Sequence, residues 1–492
     1  MRVPGILLAA PASGSGKTAA ACALMQAYKK RGLTVRACKC GPDYIDPMFH
    51  REVLGIDSRN LDLFFSEREE LRQGYAEHIS GADLAVTEGV MGYYDGMSLE
   101  SDRASSYDVA RTLGLPVILV IPCRGASLSL AALIKGMLGY RKDSRIRGIL
   151  LNRVSDALYP RLKSMLEREL QAMGYAIPVV GYLPEDEAFS MESRHLGLVT
   201  PQERKDGKVR AAQAGERLSR TVDLEKILRI AREEAACEGE DSGTAREAES
   251  ACPSGEENVR IGIARDAAFC FYYQENLRLL ENLGCRLIPF SPLSDAALPA
   301  DLDGLILGGG YPELYARGLS ENRGMCRSVR DAVRSGMPCL AECGGFMYLH
   351  EEMEDSEGRG YPMAGVFTGK TFPTGKLVRF GYVSIRPASE EGVRGDCLKT
   401  AGYLFPGEEI RGHEFHYWDS TDSGEACEAV KPDGRRRWAC IHMEGNLFAG
   451  YPHLYLPSLP VFAERFVKRC LERRNSSTGG ENDESGRSIT GD

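Results

Sequence analysis

The sequence predicts an α/β protein of two domains, each built on a parallel sheet with helices on both faces. Three observations carry this reading. Short continuous apolar runs alternate with helical patterns, first over residues 3–183 and again from Val259. Such runs are strands buried on both faces, as parallel sheets require. Between the two series lies an acidic, small-residue segment without apolar periodicity, "REEAACEGEDSGTAREAESACPSGEEN", which reads as a flexible linker over 232–258. At 492 residues the chain is also too long for one ordinary domain. The expected boundaries are therefore 1–231 and 259–470, followed by a polar, disordered tail over 471–492.

Each element follows from its local pattern. Residues 3–10 read as a strand, and "GKTAAACALMQAYKKRG" as a helix stopped at Gly32. Further strands are "TVRACK", "ADLAVTEG", "PVILVIP", "IRGILLN" and "PVVGYLP", with helical stretches such as "SLSLAALIKGMLGYRK" between most of them. After the linker the alternation restarts: "VRIGIA", a helix around "YYQENLRLLENLG", "CRLIPF", "DGLILGGG", a helix over Arg323–Ser335, and "PCLAE" running into a turn at Cys343.

Composition excludes several classes. With 43% hydrophobic and 27% charged residues the chain is an ordinary soluble protein, and no apolar run approaches the roughly 20 residues of a membrane helix. The first apolar run leads straight into a phosphate-loop motif, so it is a buried strand and not a secretory signal. A net charge of −9 argues against a nucleic-acid partner. The fifteen cysteines form no C-x-x-C pair, and their odd number in a large chain fits free thiols in the cytoplasm. The sequence is silent on oligomeric state; a homodimer is compatible with it.

The first chemical motif is "APASGSGKT". Gly14, Ser15, Gly16, Lys17 and Thr18 form the end of a P-loop, with Pro11 in place of its first glycine. Backbone N–H groups and the helix N-terminus would cradle ATP phosphates, Lys17 would reach the outer ones, and Thr18 would hold Mg²⁺. A Gly/Ser turn opening a helix is the plainer alternative. "GPDYIDP" adds Asp43 and Asp46, and "VTEGVMGYYDG" adds Glu88 and Asp95, at the carboxyl ends of parallel strands. Thr18, Asp43, Asp46 and Glu88 are the expected metal ligands, hard oxygens that suit Mg²⁺. Each acidic residue read singly is as readily a turn former. Asn152, ending "GILLN", is a candidate for the nucleotide base or a turn residue.

The second motif is "MPCLAECGGFMYLH". A cysteine between a strand and a helix, followed by two glycines, has the pattern of a nucleophile elbow. A core cysteine is the competing reading. Gly344 would donate its N–H to an oxyanion, and the glycines after "DGLIL", Gly309 and Gly310 among them, would supply a second donor. His413, His416, His442 and His453 are candidate bases, and spacing does not choose among them.

Together "GPDYIDPMFH", "TEGVMGYYDG", "RHLGLV", "LGGGYPELYA", "AECGGFMYL" and "GHEFHY" resemble the cobyrinate a,c-diamide synthase family, from the P-loop to about Leu456. The resemblance implies a P-loop NTPase-like, dethiobiotin-synthetase-like domain joined to a class I glutamine-amidotransferase-like, flavodoxin-like domain. It implies Cys343 as glutaminase nucleophile and His453 as its base. Tyr455 stands where class I glutaminases commonly carry an orienting carboxylate, so a Cys–His dyad is expected.

By the same resemblance the reaction is the ATP-dependent amidation of the a and c carboxylates of a corrinoid, with ammonia from glutamine. A large anionic substrate facing Asp43 and Asp95 needs positive charge nearby, for which Arg194 and His195 are the candidates. The same chemistry on hydrogenobyrinate or a nickel sirohydrochlorin is the near alternative. A regulatory ATPase with an inactive glutaminase-like module is the alternative of a different class.

Overall fold

The computed structural model describes residues 2–189, 193–194, 197–198, 206–237, 258–388 and 402–479. The chain divides into two compact units, Met1–Ala248 and Glu249–Asp492. Among the described residues no helix is long and apolar enough to cross a membrane.

The first unit is a seven-stranded sheet: β1 (Gly5–Ala9), β2 (Val35–Cys40), β3 (Ser58–Leu61), β4 (Leu84–Glu88), β5 (Val117–Pro122), β6 (Ile146–Asn152) and β7 (Val179–Leu183). The order is β3-β2-β4-β1-β5-β6-β7, and every pairing is parallel. Helix α1 (Lys17–Lys30) starts directly after the phosphate loop, where Gly16 takes a left-handed conformation at φ 90°. Its alanines bury against the sheet, and Lys29 and Lys30 end it where the helix dipole favours cations. Helix α2 (Ile45–Glu52) follows β2. The short polar strand β3, "SRNL", has no apolar run and was invisible to the periodicity reading.

The second unit contains β8 (Val259–Ala264), β9 (Cys285–Phe290), β10 (Gly304–Leu307), β11 (Cys339–Glu342), helix α3 (Gly344–Tyr348), β12 (Arg379–Pro387), β13 (Ile410–His416), β14 (Cys427–Val430), β15 (Arg437–Cys440), β16 (His442–Glu444), β17 (Leu447–Gly450) and β18 (His453–Leu454). The main sheet has the order β9-β8-β10-β11-β17-β16. Its first five strands are parallel and follow the flavodoxin order, 2-1-3-4-5, while β16 is an antiparallel edge. Leu305, Leu307, Cys339 and Ala341 pack into one core, Ile306 and Leu340 into another, so both faces are buried, as the unbroken apolar runs require.

A five-stranded antiparallel sheet, β15-β14-β12-β13-β18, packs its apolar residues with the second of these cores. It was not anticipated, because its strands mix polar and apolar residues with glycines.

Two boundaries are corrected. A helix over Leu224–Cys237 crosses the expected linker start at 232, its leucines and isoleucines packing against the first core. A second helix, Pro460–Gly479, crosses the expected tail start at 471. Its buried Phe462, Phe466 and Cys470 anchor the turns that precede the polar residues.

Gly345 is among the tightest points of the second unit. A Cβ there would lie 2.0 Å from the Leu307 carbonyl oxygen, backbone that has no room to retreat. We expect Gly345→Ala to destabilise this unit by about 3 kcal/mol, read as a lower denaturant midpoint for its transition.

Candidate active sites

The parallel register of the first unit assembles its site. Leu8 and Lys39 both pair with Glu88 across β1-β4 and β2-β4, so the ends of three strands converge just below the phosphate loop. Ser15 folds back on Ala12, its Oγ donating to the carbonyl at 2.8 Å, and Asn152 Nδ2 donates to the Ser15 carbonyl at 2.8 Å. Asn152 therefore braces the loop from β6.

Lys17 is buried, donating to the carbonyls of Ala12 at 3.1 Å and Met91 at 2.5 Å. Burial and then the charge on Lys39 push its pKa down to about 8. Met91 takes a left-handed conformation at φ 50°, and Asp95 accepts the Gly92 N–H at 2.8 Å, closing the glycine-rich turn that presents the Met91 carbonyl. Asp95 is thus placed as a loop-closing residue.

The acidic residues meet around a lysine the sequence reading had passed over. Lys39 Nζ lies 2.5 Å from Asp46 and 2.8 Å from Glu88, and Thr18 Oγ1 donates to the same Glu88 oxygen at 2.5 Å. His50 Nε2 stands 3.6 Å from the other Glu88 oxygen. Burial opposes charge on both Lys39 and Glu88, yet attraction prevails: Asp46 and then Glu88 hold Lys39 well above its ordinary value, and Lys39 and then His50 hold Glu88 well below. Asp46 is pushed up, by burial and then by repulsion from Asp43 and Glu88. Lys17, also buried, adds a second cation whose charge acts on Glu88 and Asp46. Asp43 Oδ1 accepts the N–H groups of Ile45 and Asp46 at 2.9 and 3.0 Å, capping α2. Lys39 was legible only as a polar residue in a buried strand, a signal easily mistaken for an edge position.

The expected metal set is therefore altered. Among the described residues no three His, Cys, Asp or Glu side chains are grouped to hold a metal on their own. Lys39 occupies Asp46, and Asp43 is engaged in the cap. Thr18 and Glu88 remain as a hydroxyl and a carboxylate side by side, and Glu88 Oε2 is buried without a hydrogen-bond partner among the described residues. His195 lies outside the described residues, and Arg194 stands in the short antiparallel pair Ser193–Arg194 and Gly197–Leu198.

In the second unit Cys343 sits at φ 47°, ψ −104°, between β11 and α3. A non-glycine residue there is strained, and the neighbouring strands hold it in place. Its N–H donates to Gly450 at the end of β17 (2.8 Å), and the Gly345 N–H donates to Gly308 after β10 (3.0 Å). An added Cβ on Gly344 would lie 3.2 Å from the Gly310 nitrogen, so the backbones of these two glycines lie against each other. At Gly309 it would strike His453 at 2.4 Å, which explains the glycine.

His453 is buried, with Nδ1 3.7 Å from Glu342 Oε2. The other Glu342 oxygen accepts the Leu454 N–H at 3.1 Å. The expected dyad is corrected: a carboxylate faces the imidazole, supplied by the residue before the cysteine and not by position 455. Burial disfavours the imidazolium, but Cys343 and Glu342 outweigh it and raise His453 to about 10.

The other histidines serve the surroundings. His413 pairs with His453 across β13-β18 and stacks on it, ring centroids 4.9 Å apart. Burial, then the His453 charge, keep His413 well below the usual value, with Tyr273 bonded to its Nδ1 at 2.9 Å. His416 and His442 bond elsewhere, to Glu414 and Trp418 and to Asp422.

Residues 6–199 match the family model of the CobQ/CobB/MinD/ParA nucleotide binding domain, and residues 260–459 that of the CobB/CobQ-like glutamine amidotransferase domain. A cobyrinate a,c-diamide synthase from Caldanaerobacter subterraneus subsp. tengcongensis is 38% identical over 94% of this chain and 98% of its own. One from Gloeobacter violaceus is 40% identical over 95% and 97%. The chain belongs to the cobyrinate a,c-diamide synthase family. Within that family its two matched domains coincide with the two sites described, the phosphate loop in one and the Cys343 elbow in the other.

Two measurements probe these sites. Lys39→Met would leave buried carboxylates without their cation and should destabilise the first unit by about 3–5 kcal/mol in denaturant unfolding. For His453, the raised pKa contributes stability that is complete below about 6.5 and is lost as pH rises through about 10. Glu342→Gln removes a charge that favours the imidazolium, so the alkaline limb of the glutaminase pH profile should move down by about one unit. An unmoved limb would mean that Glu342 does not act on the imidazole.

Proposed function

We propose that this chain is a cobyrinate a,c-diamide synthase: it amidates the a and c carboxylates of cobyrinate, using ATP and ammonia from glutamine, in cobalamin biosynthesis. The identity to relatives of that name over nearly their whole length carries the reading. On this reading the first unit, through Cys237, holds the amidoligase and the second, from Asn258, the glutaminase, the enzyme works in the cytoplasm, and its partners are small molecules. The negative net charge supports the absence of a nucleic-acid partner.

A carboxylate does not accept ammonia until its oxygen becomes a leaving group. Transfer of the γ-phosphoryl group of ATP to the carboxylate makes an acyl phosphate, and ammonia then displaces phosphate at the acyl carbon. Gly14, Ser15 and Gly16 would bind the nucleotide phosphates through backbone N–H groups, with Lys17 on the outer ones. Lys39 would counter the charge of Glu88 and Asp46 and so let an anionic substrate approach. Asp43, Asp95 and Arg194 remain candidates for the substrate side. Thr18 and Glu88 would hold Mg²⁺, whose role is to offset phosphate charge. The buried Glu88 Oε2, unbonded among the described residues and close to the Thr18 hydroxyl, supports a cation there.

In the other domain the Cys343 sulfur attacks the side-chain amide carbon of glutamine. Gly344 N–H, with Gly310 or Gly309, faces the oxyanion. The His453 imidazolium gives its proton to the departing amine, releasing ammonia and leaving a thioester. His453 then takes a proton from the water that hydrolyses the thioester to glutamate and restores the thiol.

The decisive assay is amidation of cobyrinate by the full chain. Cys343→Ser should abolish glutamine-dependent synthesis while ammonium salts still support it, and Lys17→Ala should abolish synthesis from either nitrogen source. Loss of both activities in Cys343→Ser, or turnover of another macrocycle with none of cobyrinate, would overturn the reading.

A further inference from the structure

A small open cleft in the second unit has no part in the chemistry described so far. Arg379, Glu414, His416, Asp419, Trp438 and Tyr451 line it. Its wall adjoins the nucleophile. Tyr451 follows Gly450, whose carbonyl holds the Cys343 N–H, and its ring packs edge-on against Phe346 of α3 at 5.2 Å. Burial, and then the charge of Cys343, push the Tyr451 hydroxyl well above its ordinary value.

The polar groups of the cleft fall into two sets. Glu414 is a fixed support: one oxygen accepts the Trp438 Nε1–H at 3.0 Å and the other bonds His416 Nε2 at 3.0 Å, while His416 stacks flat on Tyr451 with centroids 4.0 Å apart. The second set is uncommitted. The Tyr451 hydroxyl is fully buried and has no hydrogen-bond partner among the described residues. The Arg379 guanidinium lies over the Trp438 ring at 4.9 Å and donates only to the Val378 carbonyl, with no described carboxylate paired to it. Asp419 accepts the Ser420 N–H through Oδ1 and pairs with no described cation. A cation and an anion that share one cleft without pairing, beside an unsatisfied hydroxyl, match a zwitterion.

The geometry points to this cleft as the seat of the α-amino-acid head of the glutamine donor, with Arg379 on its carboxylate, Asp419 on its ammonium group and the Tyr451 hydroxyl completing the hydrogen bonds. Three carbon–carbon bonds separate the amide carbon from Cα, roughly 4 Å, so a head group in the neighbouring cleft leaves the amide at the thiol. The inference rests on Cys343 being the glutaminase nucleophile, and it adds how glutamine is told from a simple amide: only a substrate with both head-group charges uses both partners.

The test compares two reagents on the full chain. The diazoketone analogue of glutamine carries the head group; iodoacetamide does not. Arg379→Gln should raise KM for glutamine about ten- to hundredfold with a smaller effect on kcat, and slow alkylation of Cys343 by the diazoketone by a similar factor. Iodoacetamide should alkylate the variant at the wild-type rate, and Arg379→Lys should recover part of the diazoketone rate. Equal slowing with both reagents, or an unchanged KM and diazoketone rate, would overturn the head-group assignment while leaving Cys343 as nucleophile. Failure of the diazoketone to label Cys343 in the wild-type chain would overturn the nucleophile and the head-group site with it.

Discussion

Parallel strands all finish on one rim of their sheet, and the chemistry of each unit depends on that constraint. In the first unit the phosphate loop leaves β1 between β4 and β5, so Glu88 at the end of β4 falls beside Thr18 with no special loop to carry it. In the second, β11 ends between β10 and β17, and the glycines after those two strands grip the Cys343 turn from either side. The strain at Cys343 is tolerable because backbone hydrogen bonds to both neighbours over-determine it. Parallel pairing thus converts a distant sequence relationship, such as that of Gly308 with Gly345, into a fixed contact.

Desolvation governs what the charged side chains on those rims do. Lys39, Asp46 and Glu88 are nearly free of solvent, so the charges of Lys39 and Glu88 persist only through their partners, while Asp46 is driven toward its neutral form. Lys17 sits close enough to Lys39 to feel repulsion, and its proton is held less firmly in consequence. The thiol site uses the same physics with opposite signs: a buried imidazole keeps its proton because sulfur and carboxylate flank it, while His413 behind it stays neutral.

Burial also explains why residues next to each other in sequence can divide the labour at the elbow. Glu342 ends β11 with its side chain toward β18, where one oxygen takes a backbone N–H and the other meets the imidazole. Cys343 turns away at φ 47°, where the chain leaves the strand for the helix. The pair supplies two members of a Cys–His–Glu arrangement from a single strand end.

The sequence by itself determined the two α/β units, the order of their buried strands, the phosphate loop and the elbow, because each rests on local rules: apolar runs, glycine spacing, a lysine and threonine after a tight turn. It also marked His453, through the long motifs shared with a family. Lys39, Glu342 and the Arg379–Tyr451 cleft belonged to tertiary structure alone. Their meaning comes from register and burial across strands that lie 49, 111 and 72 positions apart, as with Lys39 and Glu88, Glu342 and His453, and Arg379 and Tyr451. A carboxylate or a guanidinium carries the same local signal on an exposed turn as in a dry cleft, and only the folded chain decides which water each has lost.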